Sequence, residues 1–86
     1  MGKYRILVKK SAAGELERIP KKDLLRIVKR VTSLAWDPRP PGCEKLSALE
    51  RYRVRQGDYR IVYSVDDAAL TVVIFKIGHR KEIYRK

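Results

Sequence analysis

The period of apolar positions changes several times along this chain, and each change marks an element. Over residues 3–9, Tyr4, Ile6 and Val8 alternate with Arg5 and Leu7, which predicts a first strand. Ser11 is a candidate cap for a short helix carrying Ala12, Leu16 and Ile19 at helical spacing, with Glu15 in its first turns and Gly14 weakening it. Pro20 suits the first position of a second helix. Over residues 21–35, Leu24, Ile27, Val28, Val31, Leu34 and Ala35 form one apolar stripe. Lys21, Lys22, Arg26, Lys29 and Arg30 lie opposite, so the pattern predicts an amphipathic helix. Two helices meeting at a proline read as a helical hairpin, and Trp36 at its end is expected to close the helix–sheet core.

The run Asp37-Pro38-Arg39-Pro40-Pro41-Gly42 cannot continue a helix and reads as a turn-rich connection. Residues 45–49 form a short strand or an irregular lead-in, and Glu50-Arg51 reads as a turn. Alternation with period two then appears in Tyr52-Arg53-Val54-Arg55-Gln56 and Tyr59-Arg60-Ile61-Val62-Tyr63, separated by Gly57-Asp58. This is the pattern of a β-hairpin with a two-residue turn. A Gly57-Asp58 turn sets Gln56 opposite Tyr59, Arg55 opposite Arg60 and Arg53 opposite Val62. Tyr52, Val54, Tyr59, Ile61 and Tyr63 share one face, while Arg53, Arg55 and Arg60 share the other. Residues 66–69 mark a second turn. Residues 70–77, almost continuously apolar, predict a central strand, and residues 78–86 form a basic tail.

Helices first and a β-meander after them predict an α+β domain, in the order β-α-α-β-β-β, with a helical hairpin on one face of a small antiparallel sheet. The helices should cover the tyrosine face of the hairpin and leave the arginine face open. Like charges directly opposite one another destabilise a sheet, so the Arg55–Arg60 pair calls for an external anion. Lys76 adds a constraint. A two- or four-residue turn would put it on the core face, which is costly for a charge. An odd-length turn or a bulge is therefore expected, gathering Lys76 and Arg80 with Arg53, Arg55 and Arg60 in one basic cleft.

Composition narrows the partner. The 86 residues, read as one domain spanning 1–86, carry 21 Lys plus Arg against 10 Asp plus Glu, a net charge of +11. With 44% hydrophobic and 36% charged residues the chain reads as globular, and its charge excess points to a polyanion or an acidic protein. No apolar run is long enough for an export signal or a membrane span, so no membrane role is expected. A single cysteine, Cys43, excludes an internal disulfide and fits a reducing cytoplasm. One Cys and one His are too few for a structural zinc site, and neither a metal nor a cofactor is expected.

The hairpin residues 52–63, joined to Ile77-Gly78-His79-Arg80-Lys81-Glu82-Ile83-Tyr84, resemble the RelE branch of the RelE/ParE toxin superfamily. Pro20 after the first helix, Asp37-Pro38 and Lys45-Leu46 also fit, so the resemblance covers nearly the whole chain. It implies a helical hairpin on an antiparallel sheet, and the toxin of a type II toxin–antitoxin pair. That toxin would be a metal-independent endoribonuclease cleaving messenger RNA in the decoding site of the 70S ribosome. The implied partners are an acidic RelB-like antitoxin, the ribosome and its RNA, with operator DNA reached only through the antitoxin complex. By the same resemblance Arg60 contacts the scissile phosphate, Arg80 is a second catalytic arginine, and Tyr84 orients the nucleotide. Arg53 and Arg55 occupy positions that are basic, often lysine, in active members. Arg51, Lys76 and Lys81 complete the candidate phosphate contacts.

Such cleavage requires the 2′-hydroxyl to lose a proton and attack the adjacent phosphorus, with the added charge stabilised and the leaving 5′-oxygen protonated. Guanidinium groups suit the stabilising task, for which Arg60 is the lead candidate with Arg80 and Arg55 in support. Arginine is a poor base. His79, the one side chain of a type whose unperturbed pKa lies near neutrality, and Tyr84 are the candidates for proton transfer. The alternative function is non-catalytic: a ParE-like toxin that binds DNA gyrase, or an inactive RNA-binding relative. The ParE branch generally lacks the catalytic basic residues.

Overall fold

The structure is a computed structural model that describes residues 3–46 and 51–79. Its elements run β1 (Arg5–Val8), α1 (Lys10–Leu16), α2 (Lys21–Ser33), β2 (Glu44–Lys45), β3 (Arg51–Gln56), β4 (Tyr59–Asp66) and β5 (Thr71–His79). The five strands form one sheet in the order β1-β5-β4-β3-β2. The α+β layout and the helical hairpin match the expectation. The sheet is mixed, because β1 pairs parallel to β5 while the other neighbours are antiparallel. The apolar run that forms most of β5 thus reflects a strand flanked on both sides.

One face of the sheet carries the core. Tyr52, Val54, Ile61, Tyr63, Val65, Val72, Ile74 and Ile77 pack there against Ala12 of α1 and against Ile27, Val31 and Leu34 from and just after α2. The stripe of α2 accounts for this: Ile27 and Leu34 are fully buried. Leu25 and Val28 turn outward. The helix boundaries differ slightly from the expectation. Lys9, not Ser11, precedes α1, and Ser11 lies inside it with its hydroxyl donating to the Phe75 carbonyl at 3.3 Å. Pro20 takes the N-cap of α2, one residue before the position expected, and Trp36 is 57% exposed instead of closing the core.

Two further features hold the sheet in place. The Tyr63 hydroxyl, buried with its ring, donates to the Pro38 carbonyl at 2.6 Å and ties the proline-rich connection to β4. Burial pushes the pKa of this phenol well above its usual value, so it stays protonated and donating. Arg39 in the same connection reaches Asp67 at 2.9 Å and the Tyr52 hydroxyl at 3.0 Å, and Tyr4 donates to Asp67 at 2.6 Å. On the other side of β5, α1 covers the edge that β1 leaves open. There Glu15 accepts the Ile77 backbone N–H at 2.7 Å, satisfying a donor that has no strand partner.

Candidate RNA-cleavage site

The hairpin folds in the register its turn dictates. Gly57 adopts φ +61°, at the first central position of the two-residue turn. Gln56 pairs with Tyr59, Arg55 with Arg60, Val54 with Ile61 and Arg53 with Val62. Because Val54 and Ile61 are buried beneath the helices, Arg53, Arg55 and Arg60 all project from the opposite face. That face has no helix over it among the described residues.

The three arginines are not equivalent. Arg60 is only 6% exposed although it lies on the open face, while Arg55 is exposed and Arg53 half-buried. Together with Gly42 and Glu44 they line a pocket of about 60 Å³. That is several times the volume one water requires. Gly78, opposite Arg60 on β5, adds no side chain there.

Glu44 is the residue that sequence reasoning missed. As one of two residues in β2 it pairs with Arg53, and its Oε1 accepts from Arg53 Nε at 3.0 Å and from the terminal guanidinium nitrogen. The hydrogen-bonded Arg53 holds the Glu44 carboxyl below its usual range, with smaller pulls from Arg55 and Arg60. Glu44 is thus an ionised acceptor at the rim of a cationic pocket. A two-residue strand is too short to show a period, so the sequence does not announce the Glu44–Arg53 pairing.

The strand β5 reaches the open face by way of a bulge. Its pairing with β4 shifts between Val62 and Tyr63, so Val62 faces Lys76 while Tyr63 faces Ile74. A four-residue turn, 67–70, joins the strands, and the bulge supplies the change of parity expected for Lys76. The lysine nevertheless turns to the sheet edge, where its Nζ lies 3.7 Å from Glu15, and does not line the arginine pocket. Arg51, read from the sequence as part of a turn, is the first residue of β3 and stacks its guanidinium on Phe75 at 4.0 Å from the ring centroid.

His79 is placed on the other side of the sheet. It pairs with Tyr59, shares that residue's face, and packs edge-on to its ring with centroids 5.6 Å apart. There it lines a separate pocket of about 120 Å³ with Glu15, Arg18 and Ile19. The structure therefore brings Arg53, Arg55 and Arg60 together, puts Arg51 on the same face, and keeps His79 and the Lys76 ammonium apart from them. Arg80, Lys81 and Tyr84 lie outside the described residues. No helix among the described residues is long and apolar enough to cross a membrane.

The comparisons with known proteins agree with one another. Residues 6–84 match the family model of the ParE toxin of type II toxin–antitoxin systems. Toxin RelG of Mycobacterium tuberculosis is 31% identical over 85 residues, covering 96% of this chain and 98% of that protein. Toxin RelE of the same organism is 34% identical over 84 residues, covering 95% and 87%. The crystal structure of the M. tuberculosis RelBE2 toxin–antitoxin complex contains a chain that superposes with a TM-score of 0.80. It is 28% identical, and the match covers 90% of this chain and 98% of that one.

Proposed function

Because this chain belongs to the RelE/ParE family of toxins of type II toxin–antitoxin systems, we propose that it is a metal-independent endoribonuclease that cleaves messenger RNA on the ribosome. The observation that carries this reading is Arg60. An arginine only 6% exposed, set directly opposite Arg55 and beside Arg53, concentrates positive charge in a small pocket on the open face of the sheet. A surface charge evolved for solubility alone has no reason to be buried.

In the proposed reaction the scissile phosphate sits against Arg60 and Arg55. The 2′-hydroxyl of the preceding nucleotide attacks the phosphorus in line, the bond to the 5′-oxygen breaks, that oxygen takes a proton from solvent water, and a 2′,3′-cyclic phosphate and a 5′-hydroxyl result. The two arginines stabilise the charge that builds on the non-bridging oxygens, in a geometry fixed before substrate arrives. Glu44 supplies what arginine cannot: an ionised carboxylate, held in place by Arg53, that accepts the proton of the 2′-hydroxyl. Its lowered pKa makes it a weak base, so most of the rate comes from alignment and charge stabilisation. The ribosome supplies that alignment by holding the message extended in its decoding site. His79, across the sheet from Arg60, is assigned no proton transfer. Arg80 and Tyr84 are assigned, by family resemblance, the second phosphate contact and the orientation of the nucleotide.

An acidic antitoxin is the second proposed partner. It complements the net charge of +11, and the structurally similar M. tuberculosis protein was crystallised in a toxin–antitoxin complex. The test is single-turnover cleavage of messages on purified 70S ribosomes by wild type, Arg60→Lys and Arg60→Ala. Loss of one preorganised donor to a developing anion lowers such rates by roughly 10²–10³-fold. Arg60→Lys should recover part of that loss, and an Arg60→Ala protein that cleaves at the wild-type rate would overturn the assignment.

A further inference from the structure

The connection between α2 and β2 carries the chain from the helix-covered side of the sheet to the arginine pocket. Pro38 and Arg39 lie on the helix side, where the Pro38 carbonyl accepts from buried Tyr63 and Arg39 Nε donates to the Tyr52 hydroxyl at 3.0 Å. The Arg39 guanidinium also lies over the Tyr52 ring, 5.2 Å from its centroid. Gly42 and Glu44 already line the pocket on the open side. The crossing is made by a short and stiff piece of chain. The Cys43 N–H donates to the Pro40 carbonyl at 3.1 Å, with Pro41 and Gly42 as the two central residues and Gly42 at φ +91°. This is a type II turn, in which proline fixes its own φ and glycine takes the positive one. Arg39 precedes Pro40, which restricts its backbone to extended conformations. Few torsions between Arg39 and Glu44 are left free.

The far end of this arm is anchored by a fork. Arg39 Nη1 and Nη2 donate to the two carboxylate oxygens of Asp67 at 3.3 and 2.9 Å, and Tyr4 donates to the same carboxylate at 2.6 Å. Asp67 opens the turn between β4 and β5. A lone surface ion pair holds little, but a forked pair with further hydrogen-bonding partners fixes a geometry. The near end needs such an anchor. Glu44 stands in a strand of two residues at the edge of the sheet, where few backbone hydrogen bonds hold it. Arg53 fixes the carboxylate end of its side chain, and the arm fixes the backbone from which that side chain starts.

We propose that Arg39, clamped by Asp67, is a positioning residue that sets where the Glu44 carboxylate stands in the arginine pocket. This rests on the ribonuclease reading with Glu44 as the acceptor of the 2′-hydroxyl proton. Arg39 faces Tyr52 and Asp67 and acts only through the chain that follows it. A general base must come within about 2.6–3.2 Å of the proton's oxygen, and a misplacement of about 1 Å can lower a rate by about 100-fold. The effect of the arm is bounded by that of Glu44 itself, because moving a carboxylate can lose no more than removing it.

The test is single-turnover cleavage by the full-length toxin on 70S ribosomes, with the ribosome concentration varied. Arg39→Gln should lower the rate at saturation roughly tenfold and leave the ribosome concentration at half-maximal rate unchanged. Asp67→Asn should lower it by a similar factor. Arg39→Lys, which keeps the charge but loses the fork, should lower it by less. In a Glu44→Gln background Arg39→Gln should lose nothing further, since both changes act through one carboxylate. Ile27→Val, which destabilises the core beneath α2 and alters no group of the connection, should cleave as wild type does well below its Tm. Wild-type cleavage by Arg39→Gln overturns the proposal. So does an Arg39→Gln loss that is as large in the Glu44→Gln background, or an equal loss in Ile27→Val, because the rate would then follow stability. Full cleavage by Glu44→Gln overturns it as well, leaving nothing to position. If these outcomes appear while Arg60→Ala still loses cleavage, the ribonuclease reading survives without the arm. If wild type cleaves no message, both fall.

Discussion

Replacing Arg55 should stabilise the free toxin while impairing it. Arg55 and Arg60 are direct cross-strand partners, so their Cβ atoms lie about 5 Å apart. Their guanidinium groups carry like charges on one face of the sheet, and the burial of Arg60 strengthens the repulsion between them. Cross-strand pairs on a sheet contribute about 0.2–1 kcal/mol, and like charges destabilise by a similar amount. Arg55→Gln removes the repulsion and keeps most of the side-chain length. Its cost is small, because Glu44 takes its hydrogen bonds from Arg53 and feels Arg55 only weakly. For a domain of this size the expected gain in Tm is about 1–8 °C. The assay is thermal unfolding by circular dichroism at low salt and near 1 M salt. The gain should shrink at high salt, where the Debye length falls to about 3 Å. Arg55→Lys keeps the repulsion and should leave Tm unchanged. Cleavage by Arg55→Gln should fall at the same time, because the charge removed is one that the phosphate uses. A lower Tm for Arg55→Gln at low salt, or a gain indifferent to salt, would refute the idea that the pocket is held open against its own charge.

Three other outcomes follow from the site and its support. Glu44→Gln should cut the single-turnover rate on the order of 100-fold, while an uncleavable 2′-deoxy message binds as well as before or better; unchanged turnover would remove Glu44 as the base. Tyr63→Phe leaves the Pro38 carbonyl without its donor and should cost about 2 kcal/mol, roughly 10 °C in a thermal melt. The Asp67 carboxyl is held below the usual carboxylate range, first by the Arg39 hydrogen bonds and then by Tyr4. A carboxyl lowered on folding stabilises above its unfolded pKa and loses that contribution as pH falls through the folded one. The Tm advantage of wild type over Asp67→Asn should therefore be constant near neutrality and be lost progressively in acid titrations below about pH 4.

What could be read from the residues was mainly what local geometry decides. The Gly57-Asp58 turn sets the hairpin register by itself, so the arginine face and the Arg55–Arg60 pair were legible in the residues alone. The stripe of α2 was legible for the same reason. Long-range pairing was not. Nothing in the alternation of β1 tells a parallel neighbour from an antiparallel one, and the two residues of β2 have no period at all, which hid Glu44. The bulge is the most instructive case. Strict alternation puts Phe75 on the core face with Ile77, and one extra residue reverses it. Only the cost of burying Lys76 hinted at the bulge, and it hinted at a change of parity without saying that a phenylalanine would be turned out. The same register extends β5 to His79 and carries that residue to the Tyr59 side. Its residue type made it a candidate base in the sequence beside Tyr84, but chemistry alone does not say on which face of a strand a residue stands.

Mapping messenger RNA 5′ ends after brief induction tests the central claim most directly, comparing wild type with Arg60→Ala at matched protein levels. A ribosome-dependent ribonuclease built on Arg60 predicts new ends within translated regions for wild type and none above background for Arg60→Ala. Growth arrest by wild type with intact messages and blocked DNA gyrase would contradict it and place the chain with the gyrase-binding branch of its family.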